Sequence, residues 1–148
     1  MGSTNTVLLY HLVFGTKDRY PFIKEPWADR LNGYLGGCIR DLHGESDAIG
    51  GSSEHMHLLL SLRPTHCLSD VVREIKRGSS AWLHDERISP KFGWQDGYGC
   101  ATVSPSLREA VKKYIKNQRE HHRKRTFKEE YLDFLKKSGI EYDERYLW

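Results

Sequence analysis

The sequence predicts an α+β fold, a ferredoxin-like βαββαβ antiparallel sheet with helices on one face, extended by an added helix and by a C-terminal helix and tail. Three observations carry that prediction. Short strand-like segments alternate with two stretches whose apolar residues recur at helical spacing. The turn Gly50-Gly51-Ser52-Ser53 joins the second and third strand-like segments directly, which gives the central ββ step. Beyond the fourth segment come a basic helical pattern and an aromatic, acidic tail that the six-element unit does not need.

With 148 residues, 38% of them hydrophobic and 11% aromatic, the chain can bury the core of one domain. The expected division is one domain over 1–148, with a core unit at about 7–104, an added helix at about 106–124 and a C-terminal helix and tail at 126–148.

Val7 to Phe14 (VLLYHLVF) reads as a buried strand, followed by a basic turn at Thr16 to Arg19. After Pro26, residues Leu31, Leu35, Cys38 and Leu42 follow helical spacing until Gly44 stops the helix. Ser46 to Gly51 forms a short strand and His55 to Leu62 the clearest one. Pro64 ends it, and Ser69 is expected to cap a second helix with Val71, Val72, Ile75, Trp82 and Leu83 on its apolar stripe. A Gly-rich stretch, Trp94 to Gly99, leads into a fourth strand, Cys100 to Val103. Ser106 and Glu109 have the spacing of a capping box for a third helix running to about Lys124. Phe127 to Lys137, closed by Gly139, is a fourth helix.

The net charge of +3 hides a local concentration. Between Arg108 and Arg125 there are eight basic residues and two acids, whereas Thr126 to Trp148 holds four basic residues and six acids. Because salt confines each charge's reach to roughly 8 Å, such a stretch attracts a polyanion more than the net charge suggests. Nucleic acid is the natural candidate, and a solvated helix face the plain alternative. Cys38, Cys67 and Cys100 are widely spaced and include no CxxC pair, so neither a disulfide framework nor a zinc ribbon is indicated, and reduced, buried thiols are expected. No apolar run approaches the roughly 20 residues of a membrane helix, and no signal-peptide pattern is evident, so the expectation is a cytoplasmic protein with no membrane partner.

Two constellations can carry chemistry. In the strand His55 to Leu62, His55, His57, Leu59 and Ser61 share one face while Met56, Leu58, Leu60 and Leu62 form a core face. The two imidazoles project together with backbones roughly 6 to 7 Å apart, close enough to meet one cation, and their face is expected to be left free for substrate. In the third helix, Leu107, Ala110, Val111, Tyr114, Gln118 and His121 fall on one inward stripe, with Lys112, Lys113, Lys116 and Arg119 pointing away. Tyr114 there is a core aromatic or a nucleophile. Gln118 must satisfy its amide or incur roughly 1 to 3 kcal/mol, and metal coordination is one way to do so. His121 is a candidate ligand as well, His122 a surface residue, and His11 a structural residue or a substrate contact.

Together His55-Met56-His57 and the later Tyr114-Ile115-Lys116-Asn117-Gln118 resemble the HUH single-tyrosine transposases of insertion sequences, including the REP-associated tyrosine transposases. The resemblance extends over nearly the whole chain, taking in His11-Leu12-Val13-Phe14-Gly15-Thr16-Lys17 and Trp94-Gln95-Asp96-Gly97-Tyr98. It implies a dimeric enzyme that cleaves and joins single-stranded DNA, with Mg²⁺ or Mn²⁺ held by His55, His57 and Gln118. It also implies that Tyr114 becomes linked to the 5′ phosphate and that active sites can be shared between subunits. No nucleotide cofactor is expected, because a phosphotyrosine ester keeps the energy of the broken bond and the sequence has no Walker-type loop. Candidate DNA-binding residues are Lys17 and Arg19 after the first strand, Arg73, Lys76 and Arg77 on the second helix, and Lys112, Lys113 and Lys116 beside Tyr114, with Trp94 and Tyr98 either stacking on bases or packing in the core. The competing readings are a HUH nickase or domesticated repeat-processing protein, and a non-catalytic nucleic-acid-binding module.

Overall fold

The computed structural model describes residues 2–118 and 124–146. Along the chain lie β1 (Leu8–Gly15), α1 (Glu25–Asp41), β2 (Glu45–Gly51), β3 (His55–Leu62), α2 (Leu68–Asp85), β4 (Gly99–Val103), α3 (Arg108–Lys116) and α4 (Phe127–Lys137). The sheet order is β2-β3-β1-β4 with every neighbouring pair antiparallel, the arrangement expected of the ferredoxin-like unit.

One face of the sheet follows directly from strand alternation. Leu12 and Phe14 of β1 join Met56, Leu58, Leu60 and Leu62 of β3 in a core closed by Leu31, Leu35 and Ile39 of α1 and Val72, Ile75 and Leu83 of α2. The other face differs from expectation. It carries Leu9, His11 and Val13 of β1 with His55, His57 and Leu59 of β3, and it is not open: α3 and α4 lie across it through Ile115 and through Phe127, Tyr131 and Leu135. His55 and His57 are 0% and 1% exposed. The added helices supply the apolar area that hides this face.

Several local expectations are corrected. α1 ends in a Schellman arrangement in which His43, at φ 67°, takes the left-handed position; Gly44 follows it and donates to the Ile39 carbonyl at 2.9 Å. A Cβ at Gly44 would sit 3.0 Å from Leu62 Cδ2, a tight contact that the Leu62 side chain would relieve only by shifting a few tenths of an ångström. Ser69 does not cap α2: Cys67 is the cap residue, without a side-chain hydrogen bond, and Ser69 pairs its hydroxyl with the Cys67 sulfur. Ser106 makes no capping box either. It lies in a 3-10 turn, Pro105–Leu107, and bonds Ser104, so α3 starts only at Arg108.

α3 is interrupted at Asn117, its cap, and helical backbone is found again at Gln118 and at Lys124, while residues 119–123, with His121 and His122, lie outside the described residues. Its buried side is Val111, Tyr114, Ile115 and Gln118, rotated away from the expected stripe, so that Leu107 and Ala110 are exposed. Leu147, Trp148 and the Tyr146 side chain of the tail are also outside the described residues. Cys67 is exposed and Cys38 and Cys100 only half-buried, all three as free thiols. Among the described residues no helix is long and apolar enough to cross a membrane.

A candidate metal and tyrosine centre

Each group at the site owes its place to a specific local feature. β3 projects His55 and His57 from one face, and β1 contributes His11 to the same face. His11 lies diagonally across from His57, the distance at which cross-strand side chains still meet. Its Nε2 is 2.8 Å from His57 Nδ1. Burial first, and the neighbouring His57 second, bring the His11 pKa down to about 3, so His11 is neutral at physiological pH. The Ser52 hydroxyl, in the β2–β3 turn, is 2.8 Å from His55 Nδ1. Both Nδ1 atoms are thus engaged behind the rings, which leaves both Nε2 atoms facing the added helices.

Those helices meet the histidines with oxygen. Gln118 Oε1 lies 3.0 Å from His55 Nε2. From α4, Glu130 places Oε1 3.2 Å from His57 Nε2 and Oε2 3.5 Å from His55 Nε2, and Tyr114 donates its phenol hydrogen to Oε1 of the same carboxylate. The Tyr114 ring stands edge-on to His57 with centroids 5.6 Å apart. Two imidazoles, an amide and a carboxylate from three parts of the chain, β3, the end of α3 and α4, therefore converge within one subunit.

α3 comes this close because β2 has no side chain in its way. Gly50 is the register partner of His57, and a Cβ at Gly50 would lie 2.4 Å from the Ile115 carbonyl oxygen. The helix is anchored at its start by an ion pair from Arg108 Nε to Asp47 at 3.0 Å, where β2 has a register shift. α4 is started by Thr126, whose hydroxyl accepts from the Glu129 amide at 3.1 Å. One residue later Phe127 stacks on the His55 ring at 4.3 Å and 11°, so Glu130, one turn on, faces the histidines.

The electrostatics follow from burial and contacts. Burial pushes the Tyr114 phenol well above its ordinary range, and the hydrogen bond to Glu130 pushes it further in the same direction. Burial alone would raise the Glu130 carboxyl, but His55, His57 and Tyr114 outweigh it and hold the group far below the usual carboxylate range, ionised at neutral pH. Oε2 of Glu130 is buried and no hydrogen bond of normal geometry reaches it. A buried, ionised oxygen left in that condition normally costs several kcal/mol, and a cation is the partner that removes the cost.

The donor set fits one. His55, His57 and Glu130 each offer a ligand atom within 4.8 Å of the others, and Gln118 adds a neutral oxygen. Two imidazoles with a carboxylate and an amide oxygen suit a divalent cation rather than a thiolate-seeking metal. Hydrogen bonds behind the rings are the usual means of fixing ligand orientation. Ser52 can donate or accept, so it accommodates either tautomer of His55.

Of the residues expected at the site, the structure brings together His55, His57, Gln118 and Tyr114. Lys116 borders the cleft beside Gln118, Lys113 is exposed, and Lys112 pairs with Glu109 at 3.7 Å. Lys17 and Arg19 follow β1, Arg19 in a hollow it shares with Lys124, Arg125 and Lys128. The α2 residues are not brought to the site, because α2 packs on the opposite face of the sheet. There Arg73 pairs with Asp70 and Glu74, and Arg77 with Glu74. Lys76 is half-buried and donates to the Gln95 and Gly97 carbonyls at 3.0 and 2.5 Å, a structural use. Trp94 belongs to the core, with its indole N–H bonded to Ser79 at 2.9 Å, and Tyr98 packs against that core.

Glu130 was missed by sequence reasoning. Its signal was present: Phe127, Tyr131, Phe134 and Leu135 form an apolar stripe, and an acid in the middle of such a stripe needs a partner just as Gln118 does.

A ferredoxin-like sheet that buries a His-Met-His strand against a tyrosine helix defines the class of HUH tyrosine transposases. The chain belongs to the IS200-like transposases, whose family model, described as "Transposase IS200 like", matches residues 4–118. The match ends at Gln118, so Glu130 lies beyond it. The ISDra2 transposase TnpA of Deinococcus radiodurans is 28% identical over 119 residues, covering 76% of this chain and 85% of that protein. A crystal structure described as that of a transposase from Deinococcus radiodurans R1 superimposes with a TM-score of 0.63 at 27% identity, over 80% of this chain and 98% of the other. The structure of a REP-associated tyrosine transposase bound to a REP hairpin gives a TM-score of 0.57 over 79% and 72% of the two chains. At 17% identity that likeness is one of fold. Membership makes this chain a DNA-cleaving enzyme of transposition.

Proposed function

We propose that the protein cleaves and rejoins single-stranded DNA through a 5′-phosphotyrosine intermediate at Tyr114, with His55, His57, Gln118 and Glu130 holding Mg²⁺ or Mn²⁺. The observation that carries this reading is the convergence of the Tyr114 hydroxyl and the four ligand groups inside one chain. The Tyr114 oxygen attacks the phosphorus, the bond to the 3′ oxygen breaks, and the departing strand takes up a proton to leave as a 3′ hydroxyl. Glu130 Oε1, already bonded to the phenol, orients its oxygen for attack, and the phenol proton passes to solvent water as the bond to phosphorus forms. A phenol held this far from ionisation is a poor nucleophile alone, and a bound divalent ion supplies the charge that stabilises the phosphate in the transition state. Attack by another strand's 3′ hydroxyl on the phosphotyrosine reverses the exchange and needs no nucleotide cofactor.

Lys17, Arg19, Lys113 and Lys116 are the proposed phosphate contacts, and a hairpin end, as in the fold neighbour solved on one, is the proposed form of the DNA. A homodimer is the proposed assembly. The exposed Val7 and Leu107, at the end of the sheet where β1 begins and β4 ends, offer apolar surface for it, and sedimentation at micromolar concentration tests it. Since Tyr114 already lies against the histidines of its own chain, the dimer does not need to exchange α3 to complete a site. Incubation with labelled single-stranded element ends and Mn²⁺ tests the chemistry: a protease-sensitive covalent adduct is expected, and its absence with every single strand leaves only a binding module.

A further inference from the structure

His11 is a buried polar side chain that the reaction given above does not use. It stands on β1 diagonally across from His57, on the sheet face that α3 and α4 cover. Three rings fix its plane: Phe134 edge-on at 5.1 Å, Tyr114 edge-on at 6.2 Å, and His57 tilted by 36° at 5.1 Å. Phe134 follows Glu130 by one turn of α4, so the helix that sets a carboxylate before His57 also packs the ring behind it.

The contact of interest joins His11 Nε2 to His57 Nδ1 at 2.8 Å. A neutral imidazole carries one N–H and one bare nitrogen. At this separation one of the two facing nitrogens must hold the hydrogen and the other must be bare, since two lone pairs repel and two N–H groups collide. His57 can serve a cation only through a bare Nε2, the nitrogen that faces Glu130, because its Nδ1 is turned toward β1. Its single hydrogen then sits on Nδ1, His11 Nε2 accepts it, and the His11 hydrogen is on the far nitrogen. Behind His55 the same task falls to Ser52, a hydroxyl that can turn to give or to take. His11 is boxed in by rings and meets His57 with one fixed nitrogen.

We propose that His11 is a positioning residue of the metal centre: its bare Nε2 holds the His57 hydrogen on Nδ1, which keeps His57 Nε2 bare and aimed at the cation. It touches neither the ion nor the DNA. The proposal rests on the metal reading given above and adds to it a residue that acts through His57.

The test compares Mn²⁺ binding by the full chain, measured calorimetrically, in wild type, His11→Phe and His11→Gln. Phenylalanine keeps a ring in the same packing and has no acceptor. Glutamine places Oε1 the same number of bonds from Cβ as Nε2 of histidine, and so restores one. Loss of a partner behind a ligating histidine should weaken Mn²⁺ affinity at least about tenfold in His11→Phe, with His11→Gln within about threefold of wild type. In wild type loaded with Mg²⁺, nitrogen NMR of the imidazoles should find the hydrogen on His57 Nδ1 and a bare Nε2 on His11. Melting temperatures without metal check that both variants fold, and the wild-type spectrum gives the answer if His11→Phe does not. Wild-type affinity in His11→Phe, a His11→Gln as weak as a folded His11→Phe, or a hydrogen on His11 Nε2 in the Mg²⁺ form overturns the proposal. A wild type that binds no Mn²⁺ overturns the metal reading itself, and this role with it.

Discussion

Gly50→Ala tests whether the seat of α3 controls the chemistry. The added methyl group would point from the His57 face of β2 into the helix, 2.4 Å from the Ile115 carbonyl oxygen and 3.2 Å from its carbon. Ordinary contact begins near 3.4 Å, so the backbone next to Tyr114 must move by about 1 Å. A shift of ~1 Å at a reacting group lowers the rate on the order of 100-fold, equivalent to about 2.7 kcal/mol of activation free energy. Overpacking of this kind costs roughly 1 to 3 kcal/mol of stability, which at this chain length lowers the melting temperature by several degrees. The histidines and Glu130 are not carried by α3, so Mn²⁺ affinity should fall less than tenfold. Single-turnover adduct formation, thermal melting and Mn²⁺ titration read the three effects separately. Adduct formation within threefold of wild type would refute the claim that Gly50 sets the position of Tyr114.

Other consequences are as direct. Mn²⁺ at 100 times its dissociation constant should stabilise the wild type by about 2.7 kcal/mol, seen as a rise in melting temperature, and His55→Ala/His57→Ala should remove that rise; an equal rise in the double variant would take the metal away from this site. Glu130→Gln keeps the shape and removes the charge, so Mn²⁺ affinity measured calorimetrically should weaken at least tenfold, and an unchanged affinity would reduce Glu130 to a partner of Tyr114. The protein should also be sensitive to acid. His11 titrates near 3 when folded against 6.5 ordinarily, so the unfolded chain binds a proton the folded one refuses, and stability is lost as the pH falls from about 6.5 toward 3. The depressed Glu130 carboxyl adds a further loss below about 4.5. Melting temperatures at pH 7.5 and 5 should differ in the wild type and differ less in His11→Leu; parallel falls would show that His11 is not the buried neutral group.

Sequence reasoning reached most of the sheet because strand alternation is strict. Met56, Leu58, Leu60 and Leu62 can share only one face, and β3 begins and ends where the pattern does. Tyr114 and Gln118 were readable for a similar reason, since their separation by one helical turn fixes their common side. What was not readable depends on partners distant in the chain. Burial of the histidine face comes from α4, whose approach no local period announces, and Glu130 meets His57 only through that packing. The rotation of α3 that leaves Leu107 exposed follows from Gly50 admitting the Ile115 backbone, a fit between two glycine-sized and carbonyl-sized surfaces 65 residues apart. The salt bridges that occupy Arg73 and Arg77 are surface geometry as well, set by which neighbours α2 presents to solvent.

The central claim is that the Tyr114 oxygen forms the bond to DNA. Wild type and Tyr114→Phe are each incubated with a labelled single strand carrying an element end and Mn²⁺, then digested with trypsin, which cuts after Lys113 and Lys116 and leaves a Tyr114-Ile115-Lys116 peptide on any adduct. That mass is expected on the 5′ phosphate of the wild-type product, with no covalent product from Tyr114→Phe and DNA binding retained. An adduct of equal yield in Tyr114→Phe, or one mapped to a different residue, would contradict it.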